Sequence, residues 1–118
     1  MIAVFDTNIV IDAFNGVAEA DGEYSRYEHV LISRVTWMEV LIGAEGDDVE
    51  LRDFLETHFK ILPLDLAVAE TAGQLRRAHR LPDAIIWATA RVNEAVSVTR
   101  NIKDFNPDWD GIRLPYSL

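Results

Sequence analysis

Short, uninterrupted apolar runs, each closed by a polar or turn-forming residue and separated by segments of helical period, constrain this chain more than any other feature. Ile2 to Phe5, His29 to Ile32, Lys60 to Leu62 and Val96 to Thr99 read as strands. Strands without apolar–polar alternation are buried on both faces, and such a sheet is parallel, with helices as its crossovers. Helices are predicted over Asn8 to Phe14, Val35 to Ala44, Asp48 to Phe59, Leu66 to His79 and Pro82 to Asn93. Ser33 offers a helix start, Glu45-Gly46-Asp47 separates two helices, and Pro63 stops the third strand. Pro82 suits a first helical turn, where its missing donor is not needed. Gly16 to Arg26 reads as a polar loop, and Ile112 to Leu114 as a fifth strand at an edge.

Length and composition fit one globular domain spanning residues 1–118, with a core of its own: 49% of its residues are hydrophobic and 26% charged. The apolar runs fall far short of the roughly 20 residues needed to span a bilayer, so no membrane segment is expected. No basic stretch followed by an apolar one opens the chain and cysteine is absent, which predicts a cytosolic protein without a disulfide framework. A net charge of −9 should repel a polyanion. The excess is confined to one half: residues 1–59 carry 13 acids against 3 bases, and residues 60–118 carry 7 against 8. The second half also holds the dense basic group Arg76, Arg77, His79 and Arg80, which reads either as a phosphate-contacting patch or as a solvated helix face.

Chemistry is suggested by acids and amides placed where strands end. Asp6 directly follows the first strand, and Asn101 and Asp104 follow the fourth. Glu39 falls at 100° per residue beside Val35 and Ile42, on the helical side that also carries Thr36 and Gly43. Asp83 precedes Ile86 and Trp87 by one turn. All but Glu39, which a purely solvated role would place opposite that stripe, have a plainer reading: a turn or cap at Asp6-Thr7-Asn8, a favourable charge at a helix N-terminus for Asp83, loop caps for Asn101 and Asp104. In a doubly wound sheet, however, all of them converge on the crevice beyond the carboxyl ends of the strands. Two carboxylates ~4 Å apart repel by about 4 kcal/mol at an effective dielectric of 20, so several together need protons or a cation. Carboxylate and water oxygens select hard ions such as Mg²⁺ or Mn²⁺. His29, His58 and His79 show no ligand spacing, which disfavours zinc. An ion so held can polarise a phosphoryl oxygen and generate a nucleophilic water, the chemistry of phosphodiester hydrolysis.

Four segments taken in order, Val-Phe-Asp6-Thr-Asn8, Val-Thr36-Trp-Met-Glu39-Val-Leu-Ile-Gly43, Leu-Pro-Asp83-Ala-Ile-Ile-Trp-Ala-Thr-Ala90 and Val-Thr99-Arg-Asn101-Ile-Lys-Asp104-Phe105, together resemble PIN-domain nucleases, in particular the VapC-type toxins of toxin–antitoxin pairs. The resemblance implies a three-layer α/β/α fold around a central, mostly parallel sheet of four to five strands. It implies a Mg²⁺- or Mn²⁺-dependent endoribonuclease with Asp6, Glu39, Asp83 and Asp104 as catalytic and metal-binding acids, supported by Asn8, Thr36, Thr99 and Asn101. It further implies a homodimer and a cognate antitoxin whose C-terminal segment lies across the active-site groove. Arg76, Arg77, Arg80, Arg100 and Lys103 are the candidate RNA contacts. Two departures stand out. Asn101 occupies a position where many PIN domains carry an acid, leaving Asn101 or Asp104 to complete the site, and the stretch from His79 to Asp83 is short.

Apolar residues beyond the needs of a core, among them Phe14, Trp37, Phe54, Leu55 and Phe59, read either as core or as a patch for a partner. A magnesium phosphoacceptor domain would need adjacent acids after the first strand, where Thr7 follows Asp6. An aspartyl phosphatase would place a second aspartate where Asn8 stands. A PIN-like binding module that has lost cleavage is the remaining alternative.

Overall fold

The computed structural model describes residues 1–44, 48–75 and 80–118. Its element order is β1 (Ile2–Phe5), α1 (Thr7–Phe14), α2 (Ala18–Tyr24), β2 (His29–Ser33), α3 (Arg34–Gly43), α4 (Val49–His58), β3 (Lys60–Leu62), α5 (Leu66–Gln74), α6 (Leu81–Val92), β4 (Val96–Val98) and β5 (Ile112–Arg113). The five strands form one sheet in the order β3-β2-β1-β4-β5, and every pairing is parallel. β1 is central, and the chain moves outward to one side through β2 and β3 before crossing to β4. The reversal falls between β1 and β4, which opens a crevice at their carboxyl ends.

Strand alternation divides the core. Ala3 and Phe5 point to one face and pack with Ile9 and Val10 of α1, Val40 of α3, and Leu51 and Leu55 of α4; Val4 points to the other and meets Ile86 and Ala90 of α6. α5 lies against α6, with Val68 packed on Ile85 and Ala88. Because α6 has the sheet on one side and α5 and the Trp87–Phe105–Ile112 cluster on others, every residue from Asp83 to Ala90 is buried. This architecture is the three-layer α/β/α arrangement expected.

Helix starts follow their caps. Asp6, Ser33, Asp48 and Asp65 each accept a backbone N–H from the helix they precede, and Pro82 stands in the first turn of α6. One expectation fails: the polar loop from Gly16 to Arg26 contains α2. The helix forms because Ala18, Glu19, Ala20 and Asp21 suit a first turn, and because Glu23 is drawn inward to Arg113, far along the chain. The helix expected to end at His79 is described only through Gln74, and residues 76–79, like the expected break at 45–47, lie outside the described residues.

The apolar residues read as either core or patch divide. Leu55 and Phe59 are buried, whereas Phe14, Trp37 and Phe54 are half-buried and pack against the same core. His29 and His58 are exposed. Among the described residues no helix is long and apolar enough to cross a membrane.

Candidate active site

Asp6 leaves the end of β1 and caps α1. Although only 4% exposed, it is well supplied with donors: Thr7 N–H to Oδ1 at 2.7 Å, Thr99 Oγ1–H to Oδ2 at 2.6 Å and Asn8 Nδ2–H to Oδ2 at 3.2 Å. Burial raises its pKa, and the charge of Glu39 adds to the rise, against those hydrogen bonds. Thr99, fully buried just beyond β4, therefore reaches the neighbouring strand's acid; its oxygen also accepts the Asn101 backbone N–H at 3.0 Å, which starts the turn toward Asp104.

Glu39 projects from the second turn of α3 and accepts a hydrogen bond from Thr7 Oγ1 at 2.7 Å. Val35 and Thr36 on its helical face are buried as expected. Ile42 is not: it is 83% exposed, while Val40, two residues earlier, is buried in the core.

Asp83 stands in the first turn of α6, 9% exposed, with its Oδ2 buried and without a hydrogen-bond partner. Burial first, then the charges of Asp6 and Asp104 and a hydrogen bond shared with Asp104, push its pKa up to about 6, with Arg80 opposing. Asp104 itself is held by Asn101 Nδ2–H at 2.8 Å. The Asn101 carbonyl oxygen accepts the N–H groups of Lys103 and Asp104 at 3.2 and 3.3 Å, so both ends of this amide are committed to the loop.

The acids thus form an electrostatic series in which Glu39 acts on Asp6, and Asp6 and Asp104 act on Asp83. As they stand, the described residues contain no group of three or more acids or histidines close enough to hold an ion; mutual repulsion opposes that approach. The donor set nevertheless fits a hard divalent cation. All its atoms are oxygens, and the Asp83 Oδ2, buried and without a hydrogen-bond partner, is an acceptor that a cation would satisfy.

Of the candidate RNA contacts, Arg80 and Lys103 are exposed, and Arg76 and Arg77 lie outside the described residues. Arg100 has another use: its Nε and Nη2 donate to Asp12 at 2.7 and 3.2 Å, and the Tyr116 hydroxyl donates to the same carboxylate at 2.8 Å. This group ties α1 to the C-terminal segment, while the Arg100 backbone N–H donates to Asn8 Oδ1 at 3.1 Å and so steadies the site from behind. Sequence reading missed Asp12, whose one signal is an acid on the inner face of an apolar helix. It also missed Thr7, which touches two acids.

The family profile described as PIN domain matches residues 3–106. Among solved structures, a toxin–antitoxin complex from Klebsiella pneumoniae is 39% identical, with 98% of this chain and 99% of that chain covered at a TM-score of 0.85. VapBC2 from Rickettsia felis, bound to a DNA fragment from its promoter, is 21% identical over 89% of this chain and 91% of that chain, with a TM-score of 0.74. DNA-bound VapBC from Salmonella typhimurium is 23% identical over 96% of both, with a TM-score of 0.72. The two latter likenesses concern the fold alone. No curated protein matches the chain.

Proposed function

This chain belongs to the PIN-domain family, and we propose that it is a metal-dependent endoribonuclease acting in the cytosol as the toxin of a type II toxin–antitoxin pair. The observation that supports the reading is a series of acids from separate elements, in which the charge of Glu39 acts on Asp6 and those of Asp6 and Asp104 act on Asp83, with a buried Asp83 oxygen that has no hydrogen-bond partner. These four acids would hold Mg²⁺ or Mn²⁺, and the bound ion would supply a nucleophilic water and stabilise charge on the phosphoryl oxygens. Asp104 is favoured over Asn101 as the completing ligand because both polar ends of Asn101 are already engaged.

The chain's own residues set the stage for that chemistry. Thr99, Asn8 and the Thr7 backbone fix Asp6, and Asn101 fixes Asp104. Arg80, three residues before Asp83, and Lys103, immediately before Asp104, are exposed and offer cations to the RNA backbone in a chain that is otherwise strongly acidic. The antitoxin reading rests on the Klebsiella pneumoniae relative, whose description is a toxin–antitoxin complex. A basic C-terminal antitoxin segment would suit the acidic groove. A homodimer would cover apolar side chains such as Ile42 and Leu66, which are largely exposed.

The test is cleavage of labelled single-stranded RNA in Mn²⁺, with Asp6→Asn as control. Wild-type protein should cut and the variant should not. Cleavage surviving in the variant indicates a contaminating nuclease; RNA binding without cleavage in the wild type indicates a PIN-fold binding module.

A further inference from the structure

We propose that Thr7 is a positioning residue that fixes the separation of Asp6 and Glu39; the inference rests on the metal-nuclease reading and deepens it. Thr7 opens α1 immediately after Asp6 and owns two donors. Its backbone N–H is given to Asp6 Oδ1 at 2.7 Å, and its hydroxyl to Glu39 Oε1, also at 2.7 Å. A single residue therefore grips two carboxylates that repel each other and come from different elements. The two donors sit on one rigid amino acid at a capped helix start, so the distance between the acids is set by covalent geometry and not by the long glutamate side chain, which would otherwise sample several rotamers.

The hydroxyl chemistry gives this contact a direction. Thr7 Oγ1 also lies 3.2 Å from Thr36 Oγ1, which is fully buried. A hydroxyl carries one proton, and an ionised carboxylate can only accept. The Thr7 proton is therefore committed to Glu39, and Thr36 donates its own to Thr7. The result is a one-way chain, Thr36 to Thr7 to Glu39, ending on the carboxylate as a charge-assisted hydrogen bond. Asp6 does not depend on the Thr7 side chain, because Thr99, Asn8 and a backbone N–H hold it. Removing the Thr7 hydroxyl releases Glu39 alone.

The experiment is calorimetric titration with Mn²⁺ alone on wild type, Thr7→Val, Thr7→Ala, Thr7→Ser and Thr36→Val, followed by RNA cleavage over a range of Mn²⁺ concentrations. Loss of an outer partner of a metal ligand typically weakens metal binding by about 10- to 100-fold. We expect that loss in Thr7→Val and Thr7→Ala, a smaller one in Thr36→Val, and wild-type affinity in Thr7→Ser. In cleavage, excess Mn²⁺ should restore Thr7→Ala while its KM for RNA stays unchanged, a pattern that general loosening of the fold does not produce. If valine prevents folding, the alanine and serine variants keep the contrast. Wild-type protein that takes up no Mn²⁺ overturns the metal reading and this inference together. Wild type that binds Mn²⁺ no better than Thr7→Ala, or Thr7→Ser as weak as Thr7→Ala, overturns this inference alone.

Discussion

Replacing Asp83 with asparagine should stabilise the metal-free protein, and the size of the gain follows from the site. The Asp83 carboxyl is buried, one of its oxygens has no partner, and its pKa is pushed up to about 6 from an ordinary value of 3.8. A group that binds its proton more tightly when folded lowers stability as the pH rises from its unfolded to its folded pKa; here the penalty is absent below about pH 4, grows between 4 and 6, and is complete above. At 1.36 kcal/mol per pKa unit the full penalty is about 3 kcal/mol. Against this, an acid in a helix's first turn gains roughly 0.3 to 1 kcal/mol from the dipole, which asparagine forfeits. A net gain of about 2 kcal/mol at pH 8 should raise the melting temperature by roughly 8 °C for a chain of this size. Melts in EDTA at pH 8 and pH 4 measure it, and the gain should fade at the lower pH. Mn²⁺ should then reverse the order, because an ion at 100 times its Kd stabilises the wild type by about 2.7 kcal/mol and the variant by much less. An asparagine variant that melts lower than wild type in EDTA at pH 8, or a difference indifferent to both pH and Mn²⁺, would refute the reasoning.

Other perturbations probe the frame behind the site. Asp12→Ala leaves the Arg100 guanidinium and Tyr116 hydroxyl without their shared acceptor, and because Arg100 remains about a third exposed the cost should be about 2 to 4 kcal/mol, read by urea unfolding. Burial alone would raise the pKa of Glu23, but the Arg113 guanidinium and Tyr27 hydroxyl outweigh it and hold the carboxyl below its usual range. Its stabilising contribution is thus complete above the unfolded value near 4.5 and disappears as the pH falls through the lower folded value; the destabilisation of Glu23→Gln seen in urea at pH 7 should vanish in strong acid. Glu94 adopts a left-handed backbone, φ 52°, in the turn between α6 and β4, so Glu94→Gly should add about 1 kcal/mol, detectable as a higher melting temperature.

The layered fold was legible in the chain because its causes are local. Strands such as Ile2–Phe5 are apolar throughout since both faces are covered, and acids or hydroxyls at Asp6, Ser33, Asp48 and Asp65 mark the helix starts by direct contact with the next turn. The placement of Asp6 and Asp83 at helix starts was legible for the same reason, since each lies beside an element boundary. Gly16 to Arg26 was misread because α2 depends on Glu23 meeting Arg113, a contact that no window of neighbouring residues contains. The role of Arg100 was misread likewise: a cation near an acidic site invites assignment to substrate, yet its partner, Asp12, lies on α1. Thr7 looked like part of a turn, and only the approach of α3 showed its hydroxyl reaching Glu39. Sequence by itself determined which surfaces had to be buried and where helices could begin, since burial pattern and capping act over a few residues. Tertiary structure alone decided which polar groups share a hydrogen bond, because such bonds end within about 3 Å and only the packed chain brings residues from distant segments that close.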